Sequence, residues 1–106
     1  MRIELDTLTE ERLRHSLKGR PGIFKLYYDT EDCGCNGVLV IQIVEEPYPT
    51  DIRIQEEPLA FVVDRQQESQ FDEEMRLRAD PDYPSYSLSS DGTWFGVNIR
   101  VKDLRP

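Results

Sequence analysis

The sequence feature that most constrains the fold is an apolar run, Val38 to Val44, which is rich in β-branched residues. Every residue in it except Gln42 is apolar, so a strand built from this run needs cover on both faces. The run is far too short to span a bilayer as a helix. It therefore predicts a central strand that is buried on both sides.

A second strand is predicted just before this run, over residues 23–29. Its apolar residues Phe24, Leu26 and Tyr28 alternate with Lys25, Tyr27 and Asp29, as in a strand with one face in the core. The same alternation predicts further short strands, and Asp91-Gly92 is typical of a hairpin turn. These strands lie near residues 3–5, 52–55, 59–63, 75–79, 86–88 and 94–101.

One helix is predicted near residues 8–18. Thr7 and Glu10 have the spacing of a capping box, in which the threonine oxygen accepts a backbone N–H and the glutamate reaches back. Leu13 and Leu17 lie four residues apart and share one face. The helix is therefore predicted to pack on the strands through its leucines.

Together these elements predict a mainly β, α+β fold: an antiparallel β sandwich or flattened barrel with one N-terminal helix packed on it. The 106 residues fit one domain, spanning 1–106. Strand periodicity also predicts the core. We expect eight residues to be buried: Phe24, Leu26, Leu39, Ile41, Ile43, Phe61, Val63 and Val97.

The acidic composition narrows the choice of partners. The formal net charge of −8 repels phosphate backbones, which argues against nucleic acid as a partner. No apolar signal core follows Met1-Arg2-Ile3-Glu4, and no apolar run is long enough to span a membrane. We therefore expect a cytoplasmic protein without a membrane association.

Both cysteines of the chain lie in one short segment, Cys33-Gly34-Cys35. In a reducing compartment such a pair is more typical of metal or redox chemistry than of a structural disulfide. Thiolates are soft ligands that select zinc, copper(I) or iron–sulfur units, and Gly34 lets both sulfurs face one side. Cys33 and Cys35 are therefore the candidate metal ligands, and the alternative is that they are only small residues in a turn.

Other candidate chemistry has less support in the sequence. A cysteine hydrolase would need a base near Cys33 or Cys35, but the only histidine, His15, is predicted on the solvated side of the helix. The acidic pairs Glu45-Glu46, Glu56-Glu57 and Glu73-Glu74 are expected to be solvated loop ends.

The order of these motifs resembles a known family. A strand ending Tyr27-Tyr28-Asp29 precedes Cys35-Asn36-Gly37-Val38, and Ile43-Val44-Glu45-Glu46-Pro47 follows. Further on come Asp51-Ile52 and an aliphatic strand that ends at Asp64. Over roughly residues 3–80 this order resembles the HesB-like, or A-type iron–sulfur carrier, family.

The resemblance implies a small non-enzymatic protein that takes part in iron–sulfur cluster assembly or delivery. That family's site uses one cysteine in this segment, matched here by Cys35, and a Cys-x-Cys pair near the C-terminus. Residues 94–106 of this chain contain no cysteine, and Cys33 is an additional thiol. Two interpretations stay open: a carrier of iron or a cluster, or an interaction module that has lost cluster binding.

If a cluster binds, two thiols in one chain leave a four-ligand site half filled. A homodimer with its twofold axis near the segment would supply the other two. The expected partners are assembly or recipient proteins. Gly34 and Gly37 are expected to shape the segment, while the acidic neighbours Asp29, Glu31 and Asp32 are expected to raise the thiol pKa.

Overall fold

The computed structural model of the protein describes residues 1–30 and 37–106. Within these ranges the chain forms nine strands, one α-helix and a short 3₁₀ helix. In chain order the elements are β1 (Arg2–Leu5), α1 (Thr7–Ser16), β2 (Ile23–Asp29), β3 (Val38–Val44), β4 (Asp51–Gln55), β5 (Phe61–Asp64), the 3₁₀ helix (Arg65–Gln70), β6 (Glu74–Ala79), β7 (Tyr86–Ser89), β8 (Trp94–Ile99) and β9 (Val101–Asp103).

The strands form two sheets that share one hydrophobic core. The smaller sheet has the order β1-β6-β7-β8, and the larger has the order β4-β5-β2-β3-β9. Leu77 and Leu88 enter the core from the smaller sheet, Leu26 and Ile41 enter from the larger one, and α1 adds Leu13. The predicted α+β class, mainly β with one packed helix, is confirmed.

The predicted antiparallel pairing is only partly correct, because both sheets are mixed. Strand β2 pairs antiparallel with β3, and the same holds for β4 with β5 and for β7 with β6 and β8. Three pairs are parallel instead: β1 with β6, β2 with β5, and β3 with β9. Each parallel pair joins strands that are distant in sequence, so local alternation could not distinguish the two directions.

Strand β3 has the central position that its composition predicts. It lies between β2 and β9 in the larger sheet. Leu39, Ile41 and Ile43 belong to the core, while Val40 and Gln42 on the opposite face are also buried. The prediction of a strand covered on both faces is confirmed.

Helix α1 begins one residue earlier than the capping-box pattern indicates. Asp6 is the N-cap, and its Oδ1 atom accepts a hydrogen bond of 2.9 Å from the backbone N–H of Thr9. The hydrogen bonds from Thr9 hold the pKa of the Asp6 carboxyl below its ordinary value. The predicted Thr7–Glu10 box is wrong, because Asp6 caps the helix and Glu10 pairs with Arg14 instead. In the described ranges no helix has the length and apolar character needed to cross a membrane.

Seven of the eight predicted core residues are buried, and the eighth, Val97, is 70% exposed. The reason is an irregular pairing of β8 with β7. Leu88 pairs with Gly96 and Tyr86 with Ile99, so β8 carries an extra residue between these pairs. Asn98 there has a φ of 55°, in the left-handed region. Such a bulge interrupts the inward–outward alternation, and Val97 therefore faces solvent.

The C-terminal residues are fastened to the end of α1 by a buried arginine. The Arg105 guanidinium donates hydrogen bonds to the Asp103 carboxylate at 2.9 and 2.8 Å. It also donates to the main-chain oxygens of Ser16, Arg20 and Pro21. The side chain is 1% exposed. The segment after β9 is thus held against the connection between α1 and β2.

This ion pair predicts a specific loss of stability in acid. Hydrogen bonds from Arg105 lower the pKa of Asp103 from 3.8 to about 2. Because the folded pKa lies below the unfolded value, the pair stabilises the fold above about pH 4 and loses this contribution as the pH falls towards 2. We expect Asp103→Asn to be less stable than wild type at neutral pH, with the difference shrinking in acid. Urea unfolding across pH measures this, with Asp82→Asn as the exposed control; a pH-independent difference would contradict the linkage.

Candidate functional site

The candidate cysteines lie in the connection between β2 and β3. These strands pair antiparallel as far as Asp29 and Val38. Cys33, Gly34 and Cys35 fall within residues 31–36, outside the described residues, so their part in a site stays a prediction. Covalent connectivity alone keeps the Cys35 α-carbon within about 10 Å of that of Val38, three residues on. The groups at this end of β2 and β3 are therefore the described residues nearest in sequence to the thiols.

Gly37 is the last residue before β3, and its backbone has a φ of +94°. Side chains other than glycine rarely adopt this angle. A β-carbon there would also lie 3.2 Å from Thr30 Cγ2 and 3.3 Å from Tyr28 Cβ. Position 37, between the cysteine segment and β3, thus requires a glycine. Gly34 lies outside the described residues.

Gly37→Ala is expected to lower the free energy of unfolding by about 1–3 kcal/mol, since it combines backbone strain with close contacts. Chemical denaturation measures the loss. Gly92→Ala is the matched control, because a β-carbon at Gly92 would meet nothing within 4 Å. That substitution should change stability by less than about 0.5 kcal/mol. Equal effects of the two substitutions would contradict a special role for Gly37.

A salt bridge joins the end of β2 to β9. Asp29 Oδ2 lies 3.1 Å from Lys102 Nζ, and the Asp29 side chain is only 11% exposed. The sequence alone suggested that Asp29 would add negative potential near the thiols. The Lys102 ammonium offsets part of that charge, so Asp29 opposes thiolate formation less than its position in the sequence indicates. Glu31 and Asp32 lie outside the described residues.

A second ion pair is buried on the same face of the larger sheet. Lys25 Nζ lies 2.8 Å from Asp51 Oδ1, and the two side chains are 3% and 0% exposed. Asp51 Oδ1 makes no hydrogen bond, so this contact is electrostatic rather than a well-aligned hydrogen bond. The ammonium also lies 4.5 Å from the ring centre of Tyr48 and 5.0 Å from that of Tyr27. Aromatic rings and a carboxylate thus surround the lysine in place of water.

The two ion pairs border one cavity of about 310 Å³ on the outer face of the larger sheet, whose lining includes Lys25, Asp29, Gln42 and Lys102. Sequence reasoning missed this polar cluster, because polar residues on the second face of a strand usually face water. Gln42 was the available signal, as the one polar residue in an apolar run. It pairs in register with Lys25 on β2 and with Lys102 on β9.

The remaining candidate residues lie where the sequence analysis placed them. His15 is exposed on α1, as predicted. The three acidic pairs, at residues 45–46, 56–57 and 73–74, are exposed. Among the described residues no group of three or more histidine, cysteine, aspartate or glutamate side chains is arranged to hold a metal ion.

The fold and the sequence define a small α+β protein with two cysteines in the connection between β2 and β3. The family model for iron–sulphur cluster biosynthesis matches residues 1–103, and the chain belongs to that family. The resemblance drawn from the order of motifs is therefore confirmed. No curated protein sequence matches the chain.

Solved structures share this fold. A protein from Lactobacillus salivarius assigned to Fe–S biosynthesis superposes with a TM-score of 0.83 at 15% identity, covering 100% of both chains. A corresponding protein from Lactobacillus acidophilus gives 0.76 at 17% identity, covering 97% of this chain and 90% of that one. SufA of Escherichia coli, involved in biosynthesis of iron–sulfur clusters, gives 0.58 at 12% identity over 89% and 92%. At these identities the likeness establishes the fold.

Proposed function

We propose that the protein binds iron or an iron–sulfur cluster through Cys33 and Cys35 and takes part in cluster assembly or delivery. The observation that carries the proposal is its membership of the iron–sulphur cluster biosynthesis family over residues 1–103. The position of both cysteines in one segment supports the choice of ligands. The cluster is cargo in this proposal, and the protein acts as a carrier without catalysing a reaction.

The number of ligands favours a shared site. One chain supplies two thiolates, whereas an iron–sulfur cluster is usually held by four cysteines. A twofold dimer with its axis near the connection between β2 and β3 doubles the set to four. The cluster would then bridge two chains and dissociate when a recipient protein offers competing thiolates. Affinity should rise with pH, since the bound form of cysteine is the thiolate.

The proposed partners follow from this role. They are proteins that load a cluster onto the segment or accept one from it, in the cytoplasm. The acidic surface favours partners that present basic groups near their own cluster ligands.

Anaerobic reconstitution with iron and sulfide tests the proposal. We expect the wild type to gain visible absorption with about one [2Fe–2S] unit per two chains, as the shared four-thiolate site requires. Cys33→Ser and Cys35→Ser should each lose most of the bound iron and sulfide, because a serine hydroxyl is a poor substitute for a thiolate. Light scattering of the loaded protein gives the oligomeric state.

Asn36→Ala is the matched control, since it alters the same segment and keeps both thiols. It should retain the absorption. Iron bound equally well by the Cys33→Ser, Cys35→Ser double variant would overturn the proposed ligands. A loaded protein that is strictly monomeric would overturn the shared site while leaving a simpler mononuclear site open.

The second candidate function is an interaction module that does not bind a cluster. It is favoured by the C-terminal region, where the resemblance would place a Cys-x-Cys pair. In this chain β9 and the Asp103–Arg105 pair occupy that region. This function predicts that the wild type gains no absorption on reconstitution and that the double cysteine variant keeps every protein contact of the wild type.

A further inference from the structure

A cavity of about 370 Å³ opens between α1, the turn that follows β6 and the corner that joins β8 to β9. Its volume is within the range of small-molecule sites. The lining includes two arginines, Arg12 and Arg100, together with His15, Ser16 and Tyr86. No acidic residue is among the described residues that line it. This lining contrasts with the composition of the chain, which has 21 acidic and 13 basic residues.

Arg12 is a fixed cation, and no carboxylate among the described residues forms an ion pair with it. Its guanidinium donates hydrogen bonds of 3.1 Å to the main-chain oxygens of Asp80 and Pro81. These carbonyls orient the side chain but do not cancel its charge. The nearby Asp80 carboxylate instead accepts backbone hydrogen bonds from Asp82 and Tyr83 within its own turn. Arg12 therefore retains an unmatched positive charge at the cavity.

Arg100 adds a second unmatched charge. Its main-chain oxygen accepts a hydrogen bond of 2.9 Å from Ile41, which fixes the backbone at the corner between β8 and β9. Its guanidinium is exposed and makes no hydrogen bond or ion pair with any residue in the described ranges. By contrast, Arg14, Arg76 and Arg105 each contact a carboxylate. Arg100 thus presents its full set of donors to whatever enters the cavity.

Much of the cavity wall is apolar. Pro84, Val101 and the Tyr86 ring contribute carbon surface, and Tyr86 is 6% exposed. Burial raises the pKa of the Tyr86 hydroxyl, while the Arg12 charge and a hydrogen bond with Ser16 act in the opposite direction. The phenol is consequently neutral at physiological pH, close to Arg12, and forms a polar point in an otherwise apolar wall.

We propose that this cavity binds a small organic carboxylate, with the carboxylate between Arg100 and Arg12 and its apolar body against Tyr86, Pro84 and Val101. A guanidinium pairs with a carboxylate through two parallel hydrogen bonds, which makes this group a better match than a neutral ligand. The site uses neither cysteine and does not depend on the proposed cluster-binding function.

Titration with benzoate, followed by ¹H–¹⁵N NMR of the full chain, tests the site. We expect saturable shifts at millimolar concentration for amides around Ser16, Tyr86 and Val101. Benzamide, which has the same ring without the charge, should bind at least tenfold more weakly. Arg100→Gln should weaken benzoate binding by about tenfold or more, as expected for the loss of a charge-assisted hydrogen bond.

Arg65→Gln is the control, since it removes the same charge from an exposed residue that does not line the cavity. It should bind benzoate like the wild type, as should the variant with both cysteines replaced by serine. Amide dispersion of Arg100→Gln reports whether the variant is folded. Equal losses in Arg65→Gln and Arg100→Gln would overturn the proposal, as would an absence of saturable shifts with benzoate, hexanoate and acetate.

Discussion

Ile41→Ala is expected to lower the free energy of unfolding by about 2–5 kcal/mol, the range for truncating a large buried aliphatic side chain. Ile41 is 0% exposed. It lies on the central strand, in register with Leu26 on β2 and with Val101 on β9. Because strands border it on both sides, its surroundings have little freedom to collapse into the space left by the substitution. Equilibrium denaturation with urea measures the loss.

Val38→Ala is the matched control on the same strand. Val38 is 54% exposed, so truncation there should cost less than about 0.5 kcal/mol. A loss below about 1 kcal/mol at Ile41 would show that β3 is not the centre of the core.

Lys25→Met is expected to cost about 3–5 kcal/mol, because it leaves the Asp51 carboxylate buried without its counter-charge. The Asp51 side chain is 0% exposed, so water cannot readily replace the ammonium. The double variant Lys25→Met, Asp51→Leu removes both charges. It should recover much of the loss, since well-packed apolar residues can replace a buried ion pair at little cost.

The exposed pair of Arg53 and Glu56 provides the comparison. Its side chains are 42% and 72% exposed, so Glu56→Gln should cost no more than about 1 kcal/mol. A double-mutant cycle on Lys25 and Asp51 gives the coupling between them. Additive effects of the two single substitutions would show that the pair contributes nothing as a pair.

The elements that were predictable from sequence are those determined by local patterns. The strands Ile23–Asp29 and Val38–Val44 have the predicted bounds, because alternation and a β-branched run are properties of the segments themselves. The helix is also local, although its N-cap is Asp6 and not Thr7, because an aspartate immediately before the threonine is a good N-cap residue.

The features that could not be predicted depend on distant partners. The parallel pairing of β1 with β6 joins Ile3 to Met75, and nothing near either residue indicates the other. Val97 is exposed because the pairing of β8 with β7 is irregular. The alternation of residues along β8 alone does not indicate this irregularity. The burial of Lys25 requires Asp51 and Tyr48, which lie more than 20 residues further along the chain.

The candidate site likewise has features that the local sequence indicates and features that depend on distant residues. The family was recognisable because it rests on the order of residues along the chain. The thiol pair is also read from that order, and its role as a site stays a prediction. The Lys102 charge beside Asp29 was not recognisable, because it arrives on β9 from a separation of 73 residues. A thiol pKa judged from the acidic neighbours alone therefore leaves out a cation that the tertiary fold brings to this end of β2.

The position of β9 also has a consequence during synthesis. Ile41 donates its backbone N–H to Arg100, and Leu104 donates to Ile43, so among the described residues it is 100–104 that pair with this edge of the central strand. Chains emerge from the ribosome N-terminal end first, and β3 is complete long before these residues appear. During that interval the apolar strand offers an open edge on which another nascent chain can add. Residues 100–104 thus cover this edge of β3, and shortening the chain before residue 100 should increase its aggregation during synthesis.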